Sequence, residues 1–507
     1  MYKSYITEIL EEGCNDKWGF IPHLLKTMSE RIERIEEIDK LLTEEVSQTF
    51  CLAKWHHTTI YLHRGQTHSC YHPKPHDIPL QELKYDPSVL HNTPEKIDER
   101  IQMFNGDKPS GCQYCWNVEE LDDGKGLDQE KHVSDRHQRN SSIYTEDRLN
   151  EILYNPPDYK INPEYVEIAF SNECNFKCGY CHPMHSSTYR QEIKKHGPYD
   201  MVSNHQVDID WFDIYDEDSP YVDAWWKWWP ELSETLNILR ITGGEPILHK
   251  TTWKLFEELS ANPKPHIEIN INTNLGYTSR RVQRLVDVVK ELTENNKIRG
   301  FKMFSSMDTW GKRAEYLRTG LNLELWEKNQ DIYLRGVKSH ITHMVTFNIL
   351  SVTSFKDYLK KVLEWRKIYE DIIPNNLGSE PNVRKIRFDT PYLKEPLQYD
   401  MHLLPKEEFL PYFDDILKFI KENVVEDDRT MFSGLEYERF RRVRDYFAST
   451  QYDEERIRRG RIDFYKWFNE YDRRRGGNFL ETFPEMEGFY RMCEKLNADD
   501  IQIVEVN

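Results

Sequence analysis

The sequence predicts an α/β fold: a parallel sheet forming a partial (β/α)6 barrel, preceded by a cysteine-rich region and followed by a helical one. Three features predict it. Between about 161 and 400, six apolar, β-branched stretches alternate with helix-like segments, a pattern that argues for a parallel sheet, open or closed. Seven of the nine cysteines fall in spaced groups, four before that stretch and three inside it. From about 400 onward, apolar residues recur only at helical spacing.

In chain order, Leu24, Leu25, Met28, Ile32, Ile35, Ile38, Leu42 and Val46 predict one amphipathic helix from Pro22 to about Ser47. Residues 50–120 hold short mixed segments with many His and Pro and too little apolar periodicity for a core of their own. Such a region calls for a metal to hold it. Residues 120–160, with DDGKG and NPPDYKINP, read as a connector. The expected strands are YVEIAF from 165, NILRIT from 237, HIEININ from 266, IRGFKMFSS from 298, HITHMVTFNI from 340 and VRKIRF from 383. EEFLPYFDDILKFIKENV and LEYERFRRVRDYFAS then read as helices. The chain thus divides at 1–160, 161–400 and 401–507, and no internal repeat is visible.

A net charge of −19 argues against a backbone-wide clamp on nucleic acid, which works by neutralising phosphates with basic side chains. Sparse Gly and Pro with 13% aromatics exclude a long low-complexity chain. The first twenty residues mix charges among apolar positions, unlike a secretory signal, and no run approaches the roughly 18 apolar residues that span a bilayer. Nine cysteines without an export signal point to a reducing, cytoplasmic compartment. The sequence has no G-x-x-x-x-G-K-[ST], G-x-G-x-x-G or H-E-x-x-H, against common nucleotide and zinc-protease chemistries.

Directly after the first barrel strand, SNECNFKCGYC places Cys174, Cys178 and Cys181 in a C-x3-C-x2-C loop at the strand's C-terminal end, where parallel barrels carry their chemistry. Three thiolates can hold three irons of a [4Fe–4S] cluster and leave the fourth open to a small molecule. The alternatives are a zinc knuckle completed by His182, or a buried thiol cluster.

This arrangement resembles the radical S-adenosylmethionine (radical SAM) superfamily, and later segments fit that family in order. The resemblance implies a TIM-like partial barrel in which the triplet holds the cluster and SAM binds its open iron. Tyr180 then packs near the adenine. Gly243, Gly244, Glu245 and Pro246 are similar to the family's GGEP motif, which contacts the methionine amino group. Glycine lets backbone approach a ligand closely, and a carboxylate suits an ammonium. Asn272, Thr273 and Asn274, in INTN, fall where the family places cofactor or substrate contacts, though a polar strand end at the surface has the same sequence. Ser306 and Asp308 are similar to its S-x-D segment, which approaches the ribose and carboxylate region. The stretch Arg313, Glu315, Tyr316, Arg318 resembles twitch-domain members in particular, with Arg318 either a cofactor contact or a surface residue paired with an acid. Asn348 reads as structural.

Cys51, thirteen residues, Gly65, four residues and Cys70 make a C-x13-G-x4-C unit similar to the auxiliary-cluster spacing of SPASM and twitch domains. There a hairpin turning at glycine brings both thiolates together. Cys112 and Cys115 supply a second pair, enough to close a second, auxiliary [4Fe–4S] cluster, while a four-thiolate zinc site has the same ligand count. Here the cysteines precede the barrel, whereas the better-known auxiliary domains follow it, so the facing of the two sites does not carry over.

WWKWW at 225–229 is expected to be core packing rather than a substrate platform. The strip from Arg456 to Arg475, with interleaved acids, reads as a solvated helical face. Cys14 and Cys493 read as ordinary thiols. His56, His57, His63, His68 and His72 read as packing or surface residues, with one a conceivable alternative ligand. The functional expectation is an enzyme that reductively cleaves SAM to a 5′-deoxyadenosyl radical and abstracts hydrogen from a peptide or small-molecule substrate, fed by an external electron donor. No side chain need be a general base. The alternative is a non-catalytic zinc or iron–sulfur scaffold.

Overall fold

The computed structural model describes residues 28–120, 134–156, 158–203, 214–337, 339–372 and 384–506. All six expected barrel strands form: β4 (Tyr165–Ala169), β5 (Ile238–Thr242), β6 (Lys264–Thr273), β7 (Ile298–Ser306), β8 (Ile341–Met344) and β9 (Ile386–Asp389). Each pairs in parallel with the next in chain order. Their alternation explains the layering. Val166, Ile168, Leu239, Ile241, Ile269, Ile271 and Met303 are buried on one face, in the main core with the helices. On the opposite, inner face Glu167, Arg240 and Asn270 stand side by side in register.

Three further strands come from the N-terminal region: β1 (His57–Tyr61), β2 (Gln66–His68) and β3 (His76–Asp77). β1 runs parallel to β4, and β2 and β3 add antiparallel, giving a nine-stranded sheet in the order β3-β2-β1-β4-β5-β6-β7-β8-β9. With β3 and β9 at its edges, the sheet is an open, partial barrel.

The N-terminal region also has a core, contrary to the expectation from its periodicity. Ile38 and Leu42 of α1 (Met28–Glu45) pack with Phe50, Trp55, Met103, Trp116 of α2 (Gln113–Glu120) and Ile143. The apolar residues come from segments far apart in sequence, so no local window reveals them. Residues 22–27 of the expected first helix, and Cys14, lie outside the described residues. The expected connector likewise holds two helices, α3 (Asp135–Ile143) and α4 (Glu146–Leu153), capped by Ser134 and Thr145 and too polar to stand out.

WWKWW lies in α5 (Pro220–Thr235), where Trp225, Trp228 and Trp229 are buried as expected. The Arg456–Arg475 strip forms α6 (Glu454–Arg475), but it is not a solvated face: Phe464, Trp467, Phe468 and Tyr471 are buried, and the side chain of Arg475 is 2% exposed. The acids that suggested solvation are partly consumed internally, Asp463 accepting from the amides of Val202 and Ser203.

Candidate functional site

Strand β4 delivers the cysteine triplet to the C-terminal end of the sheet, and β5 and β6 deliver its neighbours. The GGEP turn after β5 is stitched to the triplet loop by backbone: Gly244 N donates to Ser171 O (3.1 Å) and Glu245 N to Glu173 O (2.8 Å). Only glycine fits there. Gly243 has φ +112°, and a Cβ on Gly244 would stand 2.4 Å from the Glu173 carbonyl oxygen. The Glu245 carboxylate turns inward, fully buried, and accepts from Thr273 Oγ1 (2.7 Å) and Asn274 N (2.6 Å) at the end of β6. Burial raises its pKa to about 7 despite these donors. Pro246 is buried beside it.

Two of the three sulfurs are met by donors. Phe176 N (3.4 Å) and Asn274 Nδ2 (3.9 Å) approach Cys174 Sγ, and Arg318 Nη1 approaches Cys178 Sγ at 3.8 Å. Arg318 is buried, not on the surface, and grips Asp308 through two bonds of 2.8 and 2.9 Å. Tyr180 Oη (2.8 Å) and Thr346 N (2.9 Å) complete the Asp308 carboxylate. Asp308 therefore fixes Arg318 and Tyr180 around Cys178. Asn274 touches the triplet loop, whereas Asn272 Oδ1 accepts from Arg240 Nε (3.0 Å) deeper in the sheet, and Ser306 sits half-buried at the end of β7. Asn348 is buried in its own turn, donating to Thr346 O and accepting from Leu350 N, as a structural residue would.

At the other end of β1, Cys51, Cys70, Cys112 and Cys115 line one cavity. β1 and β2 form the hairpin, turning at Gly65 with φ +63°. Three cations line the same cavity, Lys54, Arg136 and Arg139. Lys54 is paired with Glu99, and Arg136 with Glu119 at 2.9 Å. His72 also lines it, bonded to Asp135 (2.7 Å) and stacked on Tyr114 (3.8 Å), while His56, His57, His63 and His68 are buried in the packing. Spacing gave no sign of these cations.

A buried polar path runs from this cavity into the sheet. Tyr71, next to Cys70, donates to the Tyr165 hydroxyl at the start of β4, beneath the Arg139 guanidinium (5.0 Å). Tyr165 lies within electrostatic reach of Arg240, which bonds to Asn272. The facing of the two cysteine groups, which the resemblance left open, is thus along β1 and β4.

The chemistry of the donors fits a metal cluster at both places. Burial, and then the neighbouring Cys70 thiol, push Cys51 up to about 11; burial pushes Cys112 to about 12 despite Lys54, and burial with Cys178 pushes Cys181 to about 12. Such thiols ionise together only when a cationic centre compensates them. Among the described residues no group of three or more His, Cys, Asp or Glu side chains is placed to hold a single metal ion.

No protein-family model matches the chain. The GTP 3′,8-cyclase of Nautilia profundicola is 22% identical to it over 124 residues, which make up 24% of this chain and 31% of the relative. The chain spans about a third of the length of the curated relative it matches. The solved structure described as "Native anSMEcpe with bound AdoMet and Kp18Cys peptide" is 14% identical, with 51% of this chain and 60% of that one covered at a TM-score of 0.31. Among the described residues no helix is long and apolar enough to cross a membrane.

Proposed function

We propose that this protein is a radical SAM enzyme of the twitch/SPASM-like kind, holding one [4Fe–4S] cluster on Cys174, Cys178 and Cys181 and an auxiliary one on Cys51, Cys70, Cys112 and Cys115. When bound, the first cluster and SAM supply reductive cleavage to a 5′-deoxyadenosyl radical that takes hydrogen from the substrate. The chain's own part is positioning and exclusion of water. Glu245 presents a carboxylate toward the methionine end, Gly243 and Gly244 let backbone approach, and Arg318 with Asp308 holds Tyr180 for the adenine. Asn272, Asn274 and Ser306 complete the cofactor side. The substrate class is a peptide or small molecule, the electron donor external, and the compartment cytoplasmic. On this reading residues 1–160 carry the auxiliary centre, 161–400 the core and 401–507 the helical region.

The observation that carries the proposal is the stitching of the triplet loop to the GGEP turn, with Asn274 and Arg318 donating to its sulfurs. Anaerobic purification tests it. The expected result is roughly eight irons per chain, with dithionite-dependent release of 5′-deoxyadenosine. Cys178→Ala is expected to abolish that release, because two thiolates cannot retain the cluster. Stoichiometric zinc without SAM cleavage would instead establish the scaffold.

A further inference from the structure

The C-terminal helix α6 ends on the cysteine triplet, 298 residues from the loop it touches. Arg475, its last residue, bonds to the Glu192 carboxylate through Nε and Nη2 (3.1 and 2.9 Å), and both side chains are almost fully buried. Its Nη1 donates to the Lys177 carbonyl, one residue before Cys178, and to Thr319 Oγ1 at 3.3 Å. Thr319 lies beside Arg318, and its carbonyl accepts from Lys177 N (3.0 Å) while Leu317 O accepts from Gly179 N (3.0 Å). The guanidinium also lies over the Tyr471 ring, 4.2 Å from its centroid. Tyr399 closes the other side. Its hydroxyl would stand 1.9 Å from a Cβ on Gly179, accepts from Trp467 Nε1 of α6 (3.1 Å), and its ring meets Tyr180 edge-on at 5.9 Å. Both the peptide carrying Cys178 and the aromatic next to Cys181 are therefore held by residues beyond 396.

We propose that the C-terminal region is a working part of the cofactor site, with Arg475 the positioning residue that sets the Cys178–Cys181 loop for SAM. This rests on the radical SAM reading above. Arginine is needed because one planar fork must serve a carboxylate, a carbonyl and a hydroxyl at once. Lysine keeps the charge but cannot span all three.

The test compares full-length, anaerobically reconstituted wild type with Arg475→Lys and with the double variant Arg475→Met, Glu192→Met. The double variant removes both charges of the pair but also takes Glu192 from Lys177 and Tyr199, so Arg475→Lys, which leaves those bonds in place, is read beside it. A control double variant, Arg366→Met with Glu436→Met, deletes another buried ion pair of the C-terminal packing that does not touch the triplet. Iron per chain, thermal midpoint, SAM affinity by equilibrium dialysis, and the paramagnetic resonance spectrum of the reduced cluster with and without SAM are read for each. Both Arg475 variants are expected to bind SAM at least tenfold more weakly and to show a diminished spectral response to it, with auxiliary iron retained. The control is expected to lose thermal midpoint only. SAM affinity and spectra equal to wild type in the Arg475 variants would overturn the inference, whereas a wild type that binds no SAM would overturn the radical SAM reading itself. Should the methionine pair fail to fold, Arg475→Lys decides alone.

Discussion

Glu245 is a carboxyl lifted by burial to about 7 from its ordinary 4.5, although Thr273 and the Asn274 amide donate to it. If it meets an ammonium, SAM binding should weaken as pH falls through 7, because protonation removes the charge that the ligand needs. Glu245→Gln is expected to weaken binding at pH 8 and to flatten the profile, and an unaltered profile would remove Glu245 from the contact. Stability runs the other way. A folded-state pKa above the unfolded one means the folded protein binds the proton more readily, so stability falls as pH rises from about 4.5 to 7, by up to about 3 kcal/mol. Denaturant titrations of wild type and Glu245→Gln across that range should differ in slope accordingly. Gly244 gives a second residue-scale outcome. Its missing Cβ would meet the Asn172 and Glu173 backbone at 2.4–2.6 Å, atoms that cannot rotate away. Gly244→Ala should therefore cost the triplet its iron and leave about four irons per chain, the content of one cluster.

Among the elements, the hairpin of β1 and β2 decides whether Cys51 and Cys70 face one cavity. Its turn depends on Gly65, whose φ of +63° disfavours a side chain by roughly 1–2 kcal/mol, and whose Cβ would stand 2.3 Å from the Tyr221 ring. Gly65→Ala should lower the thermal midpoint and the auxiliary iron while the triplet cluster keeps its spectrum. Full auxiliary occupancy would mean that the turn does not set the spacing. This hairpin was legible as a C-x13-G-x4-C unit, just as the barrel strands were legible from β-branched runs and the tryptophans from helical spacing. That β1 would extend the barrel sheet was not legible. HTTIY is polar by composition, and its burial depends on partners such as Lys96, which reaches Thr58 and Thr67 from a distant helix. Arg475 was read wrongly for the same reason: a charge run looks solvated until its carboxylate, Glu192, is folded against it from across the chain.

Across the whole molecule two cores share one sheet. The larger spans the barrel and C-terminal helices, the smaller surrounds the four-cysteine cavity, and β1 paired with β4 joins them. On the proposed function their dependence on metal differs. Cys174 is one packing residue among very many in the large core, whereas Cys51 and Cys112 are two of the few in the small one. On that reading, removing the metal leaves the small core with thiols pushed to about 11 and about 12, and a core of so few apolar residues rests heavily on the centre they would hold. Chelation should therefore speed amide hydrogen exchange first in residues 50–70, α2 and α3, with β5 to β8 still protected. Since β1 is bonded to β4 along its length, β4 should show intermediate protection. Uniform exchange throughout the sheet would mean that the two cores unfold as one and that the auxiliary centre braces the barrel itself.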